Sequence, residues 1–128
     1  MLKCQCNCGQ VSCSIPYIPD TIANCYCSIC RRVYKKEYTS FAKYNTQQII
    51  LKGREHVKFL RCTEIAVRGY CSLCKTYLFM YYDESENIWM NTERFNFDIQ
   101  NIPSYNIYKT WQRIIFQNVL KELVILYF

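Results

Sequence analysis

Ten cysteines among 128 residues constrain this chain more than any other feature of its sequence. Eight of them stand in short-spaced groups: C-x-C-x-C at Cys4, Cys6 and Cys8, C-x-C-x-x-C at Cys25, Cys27 and Cys30, and C-x-x-C at Cys71 and Cys74. Such spacings let one turn of backbone aim two thiolates at one ion, as in zinc sites. The N-terminal MLKCQCNC lacks the apolar stretch of a secretory signal, so we expect metal-binding thiols in a cytoplasmic or nuclear protein rather than disulfides.

The groups can be paired by counting ligands. A closed structural zinc needs four, and one C-x-C pair with the remote C-x-x-C pair supplies them. The central triplet then has three thiolates and no obvious fourth partner, which is the pattern of a catalytic zinc with an open position. Alternatively, one of four other residues closes this site: Cys4, Cys13, Cys62 or His56. Spacing alone does not decide between the two, although His56 is expected to be an exposed turn residue.

The remaining pattern predicts a single, mainly antiparallel β domain. Val11, Cys13 and Ile15 alternate with polar residues, and further runs rich in Val, Ile, Tyr and Phe occur at 49–52, 57–61, 65–68, 77–82 and 88–91. Apolar residues make up 51% of the chain, enough for a core, and no apolar run approaches the roughly 20 residues of a membrane span.

The C-terminal segment 114–128 differs from the rest because it is apolar and interrupted only by Lys121 and Glu122 at its centre. Phe116, Leu120 and Leu123 share a helical face. We therefore predict a terminal helix or strand that packs on the core or on a partner.

A basic cluster follows the central cysteine triplet. Arg31 and Arg32 come directly after Cys30, and Lys35 and Lys36 lie one turn further on. They form either a solvated basic face or an anion clamp beside the metal, because guanidinium groups bind carboxylates bidentately. The formal net charge of +6 also suggests anionic partners.

Three motifs together resemble a known family. They are CNCG at 6–9, CYCSICRR at 25–32 and RGYCSLC at 68–74, and their order and separations are similar to those of the glutathione-dependent formaldehyde-activating enzymes, a family that includes centromere protein V. Weaker matches occur at 51–53, Thr76, Leu78, Phe79, Pro103, Ile107 and Trp111, so the resemblance covers about residues 4 to 111. The sequence departs from the family at Tyr26, which replaces a histidine, and at Lys35 and Lys75, which replace glycines.

The resemblance implies a β-tent zinc fold of two antiparallel sheets over residues 1–111, with 112–128 as a tail. It implies a structural zinc on Cys6, Cys8, Cys71 and Cys74 and a second zinc on Cys25, Cys27 and Cys30 that is open to a substrate thiol. The implied activity is that of a carbon–sulfur lyase, in which glutathione adds to formaldehyde to give S-(hydroxymethyl)glutathione.

The chemistry of such a site agrees with the resemblance. A free thiol has a pKa near 8.5, and coordination to zinc deprotonates it, so Cys25, Cys27 and Cys30 would form the catalytic centre. Arg31 and Arg32 would hold the carboxylates of glutathione. The competing hypothesis is a non-catalytic zinc module that contacts an anionic partner such as chromatin. Metal-bound thiolates would offset much of the positive charge, which disfavours nucleic acid.

Overall fold

The computed structural model describes residues 1–107, which form ten strands and one α-helix. The strands are β1 (Lys3–Gln5), β2 (Ser12–Ser14), β3 (Ile22–Cys25), β4 (Thr39–Asn45), β5 (Ile50–Lys52), β6 (Val57–Arg61), β7 (Ala66–Cys71), β8 (Tyr77–Tyr82), β9 (Asn87–Asn91) and β10 (Ser104–Ile107). Helix α1 spans Ser28–Tyr34, and single 3₁₀ turns cover Thr46–Gln48, Arg54–His56 and Thr92–Arg94. The mainly β prediction is confirmed.

The strands form two sheets. The smaller is antiparallel with the order β1-β2-β5, and the larger has the order β10-β3-β4-β9-β8-β7-β6. One pair in the larger sheet, β10 with β3, is parallel, so this sheet is mainly antiparallel with one parallel edge. The reason lies in the connection after β9, which runs past the smaller sheet, where Phe95 bridges Cys4, before it returns beside β3.

The main core fills the space between the two sheets. Val11 and Cys13 contribute from the region of the smaller sheet, and Tyr44, Leu78 and Met90 contribute from the larger. All five are at least 99% buried. Burying apolar surface is the main favourable term in folding, and packing two sheets face to face achieves it for short strands that would be unstable alone.

The strand predictions agree with β2 and with β5 to β9, apart from shifts of a few residues at their ends. The run at 65–68 is part of a longer strand that continues to Cys71. Helix α1 and four strands, β1, β3, β4 and β10, were not predicted. Trp111, the tail 112–128 and the helical face at Phe116 lie outside the described residues. Within 1–107, no helix has the length and apolar character needed to cross a membrane.

Two lysines adopt the left-handed backbone conformation that favours glycine. Lys35, at the C-terminal cap of α1, has φ 56°, and Lys75, in the turn between β7 and β8, has φ 65°. These are the two positions at which the sequence has lysine where the resembling family has glycine. The backbone conformation that a glycine would adopt without strain is therefore retained in spite of the substitution.

We predict that Lys35→Gly stabilises the metal-loaded protein by about 0.5–1 kcal/mol. A side chain in the left-handed region costs about 1–2 kcal/mol, and the substitution removes this cost. Glycine also gives the unfolded chain more conformational entropy, which offsets part of the gain in stability. Urea unfolding measures the change. Lys58→Gly is the control, because Lys58 lies in the extended strand β6 and should lose stability. A loss of stability in Lys35→Gly would contradict the prediction.

Gly53 joins β5 to the following 3₁₀ turn where backbone segments approach closely. Its φ is 82°, and a Cβ atom there would lie 1.9 Å from the backbone oxygen of Gln10. We predict that Gly53→Ala destabilises the protein by at least about 2 kcal/mol, because both the conformation and the contact forbid a side chain. Arg54→Ala, next to it and exposed, should stay within about 0.5 kcal/mol of wild type in the same unfolding assay.

Candidate metal centres

The first centre joins two turns that are far apart in the chain. Cys6 and Cys8 lie in the turn after β1, which closes with a hydrogen bond from Gly9 N to Cys6 O. Cys71 ends β7, and Cys74 lies in the turn before β8, which closes with a bond from Lys75 N to Cys71 O at 2.8 Å. Each turn aims its two sulfurs toward the same point.

The four sulfurs of this first centre lie within 4.8 Å of one another. The Sγ atoms of Cys6 and Cys8 are 3.6 Å apart, and those of Cys8 and Cys71 are 3.7 Å apart. Zn–S bonds of 2.3 Å in a tetrahedron give S···S edges of about 3.8 Å, so the spacing fits a closed tetrathiolate site. The backbone N–H of Val11 donates to Cys6 Sγ at 3.3 Å, and the side chain of Cys8 is exposed.

The second centre is local in sequence. Cys25 is the last residue of β3, Cys27 is the N-cap of α1, and Cys30 lies in the first turn of that helix. The Cys27 sulfur accepts the backbone N–H of Cys30 at 3.3 Å, in the manner of an N-cap side chain. The spacing C-x-C-x-x-C therefore joins a strand end to a helix start and points its three sulfurs inward.

The sulfurs of the second centre also lie within 4.8 Å of one another, with Cys25 and Cys30 Sγ 3.3 Å apart. Cys25 and Cys30 are buried, whereas Cys27 is partly exposed. Hydrogen bonds from Cys25 and Cys30 hold the pKa of the Cys27 thiol well below its usual range, and the same contacts raise the pKa of Cys30. A thiolate is the ligand form of cysteine, so the lowered pKa of Cys27 favours metal binding.

Both sulfur sets fit a soft divalent metal. Thiolate sulfur favours zinc over magnesium or calcium, and the first set has the four ligands of a structural site. The second set has three, and no other cysteine, histidine or carboxylate of residues 1–107 belongs to the cluster. Its donors match a metal site that leaves one position for an exogenous ligand.

The other candidates for a fourth ligand lie elsewhere. Cys4 and Cys13 are cross-strand partners in the smaller sheet, and burial raises the pKa of both thiols. His56, in its 3₁₀ turn, is partly buried, and its Nε2 lies 3.7 Å from Oε1 of Glu55. Cys62, partly buried after β6, has its sulfur near the carbonyl of Leu60. None of the four joins either sulfur cluster in the part of the chain described.

The basic residues after Cys30 occupy an exposed face. Arg31 and Arg32 lie in the last turn of α1 with exposed side chains. Lys36 forms an ion pair with Glu93, so its charge is partly compensated. Tyr26, at the position of the family's histidine, is buried and packs on Tyr38 with ring centroids 4.9 Å apart.

A cleft of about 350 Å³ lies near the end of β3, although none of Cys25, Cys27 and Cys30 lines it. It is bounded by the loop after α1, by the start of β4 and by the turn that follows β9. Thr39 contributes to its wall and is the cross-strand partner of Cys25, which places the cleft next to that strand end. The hydroxyl of Thr39 is buried without a hydrogen-bond partner.

Sequence reasoning missed one residue of this centre. Arg68, on β7, is 2% exposed, and its Nη2 donates to Cys30 Sγ at 3.3 Å. Its guanidinium carbon lies 5.6 Å from the ring centroid of Tyr34. The available signal was an arginine inside a strand of otherwise apolar and small residues, AVRGYC, which indicates a buried charge that needs a partner.

Comparison with known proteins agrees with this arrangement. A crystal structure of a Rhodobacter sphaeroides protein superposes with a TM-score of 0.65 at 19% identity, covering 82% of this chain and all of that one, and shows that the fold is shared. No curated protein sequence matches significantly. The family model described as "Glutathione-dependent formaldehyde-activating enzyme" matches residues 1–110, which include both sulfur clusters. The chain therefore belongs to the family of glutathione-dependent formaldehyde-activating enzymes.

Proposed function

We propose that this protein is a zinc-dependent carbon–sulfur lyase that adds glutathione to formaldehyde or to a similar small electrophile. The observation that carries the proposal is the incomplete sulfur set of Cys25, Cys27 and Cys30. A purely structural zinc takes four protein ligands, whereas three ligands leave a position for a reactant. Membership of the family supports the same substrates.

In this proposal the two centres have different tasks. Cys6, Cys8, Cys71 and Cys74 hold a structural zinc that clamps the N-terminal turn to the end of β7. Cys25, Cys27 and Cys30 hold the second zinc. When bound there, zinc supplies a Lewis acid that keeps a substrate thiol deprotonated and polarises a carbonyl oxygen.

The chain's own residues determine how a substrate approaches. Cys25 and Cys30 are buried and Cys27 is partly exposed, so the accessible side of the centre is the side of Cys27. The exposed Arg31 and Arg32 are placed on the same helix as Cys30, where they bind the two carboxylates of glutathione. The thiol proton leaves to solvent, the sulfur forms a bond to the carbonyl carbon, and the carbonyl oxygen takes up a proton.

The alternative of a non-catalytic zinc module has less support. It depends on a basic surface formed by Arg31, Arg32, Lys35 and Lys36. Because Lys36 is paired with Glu93, this surface has less free charge than the sequence suggests. A module that only binds an anionic partner also gives no reason for a centre with three sulfurs instead of four.

We expect the purified protein to contain about two zinc ions per chain, and Cys27→Ser to contain about one. Serine removes one of only three thiolates, so the second centre should lose its metal while the first keeps it. Metal analysis by mass spectrometry measures both values. Cys62→Ser is the control and should keep about two ions. Loss of an ion in Cys62→Ser would show that Cys62 closes the second site, which contradicts the open-site proposal.

We expect the zinc-loaded protein to accelerate formation of S-(hydroxymethyl)glutathione from glutathione and formaldehyde. Exchange NMR at equilibrium measures the rate beside the spontaneous reaction. Cys27→Ser should fall to within about twofold of the spontaneous rate because it loses the reactive metal, whereas Cys62→Ser should keep activity. A wild-type protein with two zinc ions and no rate above background would refute the lyase proposal.

A further inference from the structure

Arg68 is a buried cation whose described neighbours include no carboxylate. Its side chain is 2% exposed in the middle of β7. The ion pairs found within residues 1–107 involve Lys36, His56 and Arg61, each with an acidic residue, and none involves Arg68. A guanidinium cannot lose its proton in a protein, so burial leaves a full positive charge that must be compensated.

The groups near this guanidinium are the sulfur atoms of cysteines and of a methionine, and an aromatic ring. Nη2 donates to Cys30 Sγ at 3.3 Å, Nη1 lies 2.8 Å from Met80 Sδ, and the Tyr34 ring lies beneath the guanidinium carbon. Nε has no hydrogen-bond partner. A thioether and a ring carry no net charge. The Cys62 thiol also interacts with Arg68, but burial raises the pKa of Cys62 and favours its neutral form. The cysteine cluster is therefore the anion available to balance Arg68.

The charge of that cluster matches the requirement. Three thiolates with one divalent ion carry a net charge of −1, and a single buried guanidinium neutralises it. We propose that Arg68 is a positioning residue that balances the charge of a divalent metal centre on Cys25, Cys27 and Cys30 and fixes the Cys30 sulfur within it. The inference rests on the proposed function, because it takes these three cysteines as ligands.

The first centre provides an internal contrast. Its sulfurs receive hydrogen bonds from the backbone N–H of Val11 and contact the hydroxyl of Thr76, and Cys8 is exposed to solvent. Water and backbone dipoles can compensate a tetrathiolate there without a cation. In the second centre Cys25 and Cys30 are buried among Phe41 and Met80, so solvent cannot compensate their charge. Among the contacts described for the two centres, a buried guanidinium reaches the sulfurs of the second.

Cobalt(II) binding to the full chain tests the inference, because sulfur-to-cobalt charge-transfer absorption reports thiolate coordination directly. Competition with a chelator resolves the cobalt affinities of the two centres. The affinity that is lost in Cys27→Ser belongs to the second centre. We expect Arg68→Met to weaken the second site by about 10- to 100-fold and to leave the first unchanged. Arg68→Lys, which keeps the charge, should bind more tightly than Arg68→Met. Arg61→Met, an exposed arginine on β6, is the matched control without effect.

Each other outcome has a defined meaning. Equal second-site affinity for cobalt in Arg68→Met and in wild type would overturn the inference. An equal loss of cobalt affinity at both sites would overturn it too, because it indicates a general structural role. Should Arg68→Met fail to fold, Arg68→Gln decides, because it removes the charge and keeps a hydrogen-bond donor. Wild-type second-site affinity in Arg68→Gln would overturn the inference. A wild-type chain that binds one cobalt ion refutes the inference and the proposed function together. Two ions with no spectral response to glutathione refute only the lyase proposal.

Discussion

The convergence of two distant turns on one set of sulfur atoms is the constraint on which the rest of the structure depends. Cys8 and Cys71 are separated by 63 residues, yet their sulfurs lie 3.7 Å apart. This contact holds the turn after β1, in the smaller sheet, against the end of β7, in the larger one. Because a metal bound at such a site adds its binding free energy to folding, the two sheets need less apolar burial to stay together than their short strands would otherwise require.

Strand β7 connects the two centres. It carries Cys71 of the first sulfur set at its C-terminal end and, three residues earlier, the Arg68 that contacts the second set. The pairing of β7 with β8 changes register between Gly69 and Tyr70. This register shift lies between Arg68 and Cys71. A register shift alters which face a side chain points to, so the position of Arg68 relative to Cys71 depends on this irregularity. A change in the backbone register of β7 is therefore expected to affect both centres, whereas a change of the Arg68 side chain alone affects the second.

The parts of the structure that were predictable from sequence are those with short-range signals. The C-x-C and C-x-x-C spacings predicted which cysteines lie close together within one turn of backbone, and the apolar runs located β5 to β9. The choice of Cys6 and Cys8 as partners of Cys71 and Cys74 came from the family resemblance. Strand β4 was not predicted because Thr39, Ser40 and Lys43 interrupt its apolar pattern, although it lies inside the larger sheet. Helix α1 has seven residues, too few for a periodicity to show. The role of Arg68 was not predicted because its partner Cys30 is 38 residues away in the chain. Local spacing gives no information about such a contact.

The charged groups on the two sides of the second centre differ in their burial. Arg68 and Cys30 are almost fully buried, Cys27 is partly exposed, and Arg31 and Arg32 stand on the exposed face of the helix. A cation on the buried side attracts the sulfur charge inward, because Coulomb interactions strengthen as the local dielectric constant falls. The exposed arginines stand in water, where dissolved salt screens their charge. Under the lyase proposal, Arg68 therefore governs how strongly the metal is held, whereas Arg31 and Arg32 govern which thiol reaches it.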